Sequence, residues 1–149
     1  MKQIYLAARY SRRLELCTYR YHLSARGYLV QARWLDGGHQ MSNEGVPIGE
    51  SGEALVESEG DSGSQSERAA QLRARLAADD WEDVTSAEIV VSFTEPPRSN
   101  ASRGGRHVEY GIALGLGKRV IVVGHRENIF HWLPQVEFCK TWEDALAIL

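Results

Sequence analysis

Two short apolar runs, IVVSF at 89–93 and RVIVVG at 119–124, constrain this chain more than any other feature. Neither alternates polar with apolar residues, which is the pattern of strands buried on both faces of a helix-covered parallel sheet. Parallel neighbours need a crossover of a dozen or more residues, usually a helix. The stretch GGRHVEYGIALGLGK between the two runs has the length and composition to supply one. The same alternation extends outward. QIYLAA at 3–8 reads as a first strand. Ser11 can cap a helix running to about Arg26, with Leu14, Cys17, Tyr21 and Ala25 on its inner face and Gly27 as its stop. YLVQAR at 28–33 reads as a second strand, 66–88 as a long helix, and 137–139 as a last short strand. Thr141 with Asp144 resembles a capping box for the terminal WEDALAIL helix. The expectation is one α/β domain over 1–149, a flavodoxin- or Rossmann-like doubly wound sheet of about five parallel strands. Ligands of such sheets gather beyond the carboxyl ends of the strands.

Composition excludes several roles. A net charge of -3 argues against wholesale binding to a nucleic-acid polymer or an anionic membrane. No apolar run approaches the roughly 20 residues that span a bilayer, and the N-terminus enters a strand-like run without a secretory apolar core. Cys17 and Cys139 lie far apart and form no CxxC pair, which suits a reduced, cytoplasmic protein. The five histidines show no metal spacing, and neither HExxH, P-loop, GxSxG nor an early GxGxxG occurs, so no metal or cofactor is expected. The segment 36–64 is glycine-rich and acidic, without lysine or arginine, and reads as a mobile loop. It is either a solvated insertion or a lid over a ligand site.

Two carboxylates stand out. Leu72, Leu76, Asp80 and Val84 fall along one face of the long helix, so Asp80 interrupts an apolar stripe. Such a group must be paired, protonated or open to a polar cavity, unless the helix is rotated to leave it at an edge. Glu109 follows the irregular loop TEPPRSNASRGG and is expected in the first turn of its helix. There it either complements the helix dipole or serves as an ionised reactive group. Gly111 inside that helix costs roughly 1 kcal/mol relative to alanine, which suggests close packing or a need for space beside Glu109. Ser99, Ser102, Arg103 and Arg106, with amides at Gly104 and Gly105, suit an anion such as phosphate. Ser11, Arg12 and Arg13 repeat that arrangement after the first strand, and Trp34 either stacks on a base or packs.

The segments IYLAAR, DWEDVTSAEIVVSF and GGRHVEYGIALGLGKRVIVV together resemble the nucleoside 2-deoxyribosyltransferase superfamily, which includes nucleoside-monophosphate N-glycosidases. The resemblance covers both ends and the middle and leaves 36–64 unmatched. It implies Glu109 as nucleophile on the anomeric carbon, Asp80 as proton donor to the base, and Tyr5 as orienter of the nucleophile. It also implies a homodimer or larger assembly in which a neighbouring subunit completes the site, with Asn128 as the loosest match. Where deoxyribosyltransferases often carry an aspartate, Arg103 stands here, beside Ser102. That favours a 5′-phosphate over a free 5′-hydroxyl, and hydrolysis of a nucleotide over base exchange between deoxyribonucleosides. A non-catalytic nucleotide-binding module is the third reading. In each case the partner is a small nucleoside or nucleotide.

Overall fold

The computed structural model describes residues 1–38, 40–41, 47–48, 67–98 and 104–149. The expectations for most of 36–64, and for Ser99, Ser102 and Arg103, lie outside these residues. In chain order the elements are β1 (Gln3–Ala7), α1 (Arg13–Ala25), β2 (Leu29–Val30), β3 (Gln40–Met41), β4 (Pro47–Ile48) and α2 (Glu67–Ser86). They continue with β5 (Ile89–Phe93), α3 (Gly105–Gly115), β6 (Arg119–Val123), β7 (Val136–Cys139) and α4 (Trp142–Ile148). Five strands form one sheet in the order β2-β1-β5-β6-β7, and every pairing in it is parallel. β3 and β4 form a separate antiparallel pair.

This is the doubly wound arrangement expected from the apolar runs. β5 is buried along its whole length, and so are four of the five residues of β1 and of β6. The order reverses between β1 and β5. Right-handed crossovers on either side of that point put α1 on one face and α2 and α3 on the other, and the terminal α4 packs beside α1. Tyr19 of α1 stacks on Trp142 of α4 at 4.5 Å between ring centroids, closing the first face.

Several local expectations are corrected. Ser11 caps nothing with its side chain; it lies in a 3₁₀ turn, Tyr10–Arg12, that leads into α1. α1 turns Leu16 and Leu23 inward, whereas Leu14 and Tyr21 are 65% and 73% exposed. Arg13 and Arg20 explain the rotation, because they reach across to the Leu35 carbonyl and to Asp36. The helix does stop at Gly27, whose φ of +85° disfavours any residue with a Cβ. The second strand is only two residues long. Asp83, fully buried, accepts from Gln31 Nε2, from the Arg33 amide at 2.7 Å and from Arg33 Nε at 2.9 Å. This pull turns the chain at Arg33 into a 3₁₀ helix, Arg33–Asp36, so the strand expected through Arg33 ends at Val30. At the C-terminus Thr141 Oγ1 accepts from the Asp144 amide, as a cap should.

Candidate active site

The packing of α2 against α3 leaves a cavity of about 340 Å³. α2 contributes Ala77, Asp80, Trp81 and Val84 to its wall, and α3 contributes Gly105, Val108, Glu109 and Ile112. The four-residue spacing read from the sequence therefore does place Asp80 in an apolar stripe that opens on a cavity. Beneath it lies β1, whose fully buried Tyr5 donates from Oη to Glu109 Oε1 at 2.8 Å. Tyr5, Asp80 and Glu109, more than a hundred residues apart in sequence at the extremes, thus meet at one point.

The electrostatics differ from the expectation. α3 starts at Gly105, so Glu109 lies in its second turn, and no acidic residue occupies the first. The dipole's stabilisation fades within one turn and does not govern this carboxyl. Burial pushes the Glu109 pKa up, the negative charge of Asp80 adds to the rise, and the Tyr5 hydrogen bond opposes it; the result is about 8. Tyr5 is in turn pushed well above its ordinary value by burial and by the charge of Glu109, so it stays a donor. Glu109, expected to be ionised, is thus the carboxyl that carries a proton near neutrality.

The glycines divide. Gly104 precedes the helix in the left-handed region with φ +82°, and Gly105 forms part of the cavity wall. Gly111 is exposed with nothing within 4 Å of a Cβ, so neither close packing nor room for a ligand explains it.

The other candidates lie elsewhere. Arg12 pairs with Glu15 at 2.7 Å and reaches Glu95 at 3.4 Å, lining a second cavity of about 300 Å³ with Phe93, Thr94 and Lys140. Neither it nor the exposed Ser11 borders the Glu109 cavity. Arg106 is buried against Glu127 at 2.7 Å. Trp34 is 5% exposed and donates from its indole nitrogen to the Leu6 carbonyl, so it packs and offers no face for stacking. Asn128 caps the 3₁₀ helix Ile129–Trp132, accepting from the Phe130 amide at 2.9 Å. Sequence reasoning missed Asp83 and Glu127. Each is a carboxylate whose partner lies far away in sequence, Arg33 for one and Arg106 for the other, and no local pattern marks them. Among the described residues no three His, Cys, Asp or Glu side chains gather as metal ligands would, and no helix is long and apolar enough to cross a membrane.

Fold and site together define a class: a doubly wound α/β protein with a phenol and two carboxylates converging under one face of its parallel sheet. Among solved structures the chain is similar to the Clostridium botulinum CMP N-glycosidase BcmB, with a TM-score of 0.57 and 16% identity over 99% of this chain and 97% of that one. At that identity the likeness is one of fold. No family model matches the chain, and no curated protein matches it.

Proposed function

We propose that this protein hydrolyses the N-glycosidic bond of a nucleoside 5′-monophosphate. The observation that carries the reading is the 2.8 Å hydrogen bond from Tyr5 to Glu109 in a site shared with Asp80. Breaking an N-glycosidic bond passes through an oxocarbenium-like state, and glycoside hydrolysis meets the same demand with two carboxyl groups. Glu109 attacks C1′ and forms a glycosyl ester as the C1′–N bond breaks. The bonding pair leaves with the base, whose nitrogen takes a proton from Asp80. Water then attacks C1′, gives a proton back to Asp80, and releases the sugar 5-phosphate and the Glu109 carboxylate.

The raised Glu109 pKa fits this sequence when the two carboxyls are treated as one unit. A pair holding a single proton near neutrality has the total that the reaction requires. Before substrate enters, that proton rests on Glu109. Its transfer to Asp80 on binding yields an ionised nucleophile and a protonated acid, with no exchange with solvent. Tyr5 supports the ionised form by donating to it. Val84 and Ile112 give the centre an apolar wall, and a bound substrate that excludes water would strengthen each of these interactions.

For the phosphate, the glycine turn at the start of α3 remains the candidate, with Ser102 and Arg103 preceding Gly104 in sequence. Arg12 is less suited, being held by two carboxylates. Trp81 and Val108, at the cavity wall, are 58% and 64% exposed, and a second copy of the chain covering them would complete the site. The BcmB substrate makes CMP the first nucleotide to try.

The test is chromatographic detection of free base after incubation with each common nucleoside and its 5′-monophosphate, with and without a second free base. Release from monophosphates alone, abolished in Glu109→Ala, is the expected result. Exchange on unphosphorylated nucleosides only when acceptor base is present would make the protein a deoxyribosyltransferase. Ligand-induced thermal stabilisation without any release would leave a binding module.

A further inference from the structure

We propose that Glu127 is a positioning residue that ties the exit of β5 to the first turn of α3, and thereby sets where that helix presents Glu109. Glu127 lies in the connection after β6, with its side chain 12% exposed. Its Oε1 accepts from the backbone amide of Glu95, two residues past the end of β5. Both carboxylate oxygens accept from Arg106 Nη2, at 2.8 and 2.7 Å, and His107 Nε2 lies 3.3 Å from Oε2. Glu95, just past β5, and Arg106, in the first turn of α3, are therefore tied together through one side chain.

α3 needs such a holder. Its N-cap is Gly104, which has no side chain to bond the helix's first amides, and its first residue is Gly105. Helix starts gain roughly 0.5–2 kcal/mol from a capping side chain, which a glycine at the N-cap does not itself supply. Arg106 is the first residue of α3 that can anchor it, and its side chain is 3% exposed. Three residues further on, across one turn, stands Glu109.

Glu127 is itself fixed from behind. Its amide donates to His131 Nδ1 at 3.0 Å, and the Asn128 amide shares that acceptor. Tyr110 of α3 donates to the Phe130 carbonyl at 2.7 Å and packs edge-on against the His131 ring at 4.9 Å. The capping box at Asn128 is thus the base of a lever whose far end is the candidate nucleophile. This gives Asn128 a task within its own subunit. The effect on turnover rests on the function proposed above, but the structural effect does not.

The experiment pairs Glu127→Gln and Glu127→Asp with three readouts: carboxyl NMR titration of Glu109, amide exchange, and base release from nucleotides. Glutamine can still accept from the Glu95 amide, but its amide group faces Arg106 with a donor. The expected result for Glu127→Gln is a Glu109 midpoint lowered by at least one pH unit, as α3 loosens and water enters. kcat should fall at least tenfold with KM changed less than threefold, and Glu127→Asp should be intermediate on both readouts. A lower melting temperature with an unmoved Glu109 midpoint and unmoved kcat would overturn the proposal and leave Glu127 a stabilising residue only. A shifted midpoint in a protein that releases base from no nucleotide would sustain the clamp and refute the proposed activity. Should neither variant fold, wild-type amide exchange decides. The Glu95 amide should exchange within tenfold of the α3 amides of His107 and Val108, and exchange a hundredfold faster would overturn the clamp.

Discussion

Replacing Glu109 by glutamine should make the protein more stable while abolishing its activity, and the gain should depend on pH in a defined direction. The native carboxyl keeps its proton up to about pH 8, against an ordinary value of 4.5. Between those values the native state binds more protons than the unfolded chain, so stability falls as pH rises. It is flat below about 4.5 and flat again above about 8. Across that window each pH unit removes about 1.36 kcal/mol, so the burden on the wild type approaches roughly 5 kcal/mol above pH 8 and roughly 3 kcal/mol at pH 7. Glutamine is neutral at every pH and still accepts the Tyr5 hydrogen bond, so its variant escapes this burden. At pH 7 the melting temperature should rise by roughly 6–12 °C, with no gain at pH 4. Urea unfolding of both proteins at pH 4, 5, 6, 7 and 8.5 checks this, because titrations not coupled to Glu109 cancel in the difference. A difference that is constant with pH, or that shrinks as pH rises, would refute the buried-proton argument. Asp80→Asn should narrow the gap, because the Asp80 charge is the second contributor to the raised Glu109 pKa, after burial.

If the two carboxyls work as a pair with one proton, kcat/KM for base release should be level from pH 6 to 7.5 and fall above about 8, where that proton is lost. Tyr5→Phe removes the hydrogen bond that would support Glu109 once it is ionised for attack, when a bond to a charged group is worth about 1.5–3 kcal/mol; kcat should drop roughly 10–100-fold and the Glu109 titration should move further upward. Asp83→Ala strips three donors of a buried acceptor and should lower the melting temperature by roughly 5–10 °C in thermal denaturation.

The architecture was legible because burial on both faces writes itself as continuous apolar runs. IVVSF and RVIVV became adjacent parallel strands paired Ile89 to Arg119 through Phe93 to Val123. Helix rotation was less legible. On α1 the apolar residues Leu14 and Tyr21 face out because Arg13 and Arg20, polar by composition, are drawn to Leu35 and Asp36. Hydrophobic periodicity has no way to count a hydrogen bond to a carbonyl two elements away. The shortness of β2 has the same origin, since Asp83 on α2 sets the conformation of Arg33.

Within the site, sequence located the groups but not their charge states. Position along a helix is a local property, and it suggested an ionised Glu109 and an Asp80 that is paired, protonated or open to a polar cavity. The actual balance is set by what lies across the cavity: Tyr5 from β1, Asp80 from α2, and the apolar wall that both helices share. Burial raises the Glu109 pKa and the negative charge of Asp80 adds to the rise, so Glu109 keeps its proton near neutrality. Under the reaction proposed above, that distribution has a use that simple binding lacks. A protein that only held a neutral ligand would gain several kcal/mol from a glutamine at 109, whereas a reaction that attacks with one carboxylate and protonates with another needs both groups and a single proton. The instability built into Glu109 is therefore the part of this structure hardest to explain without chemistry.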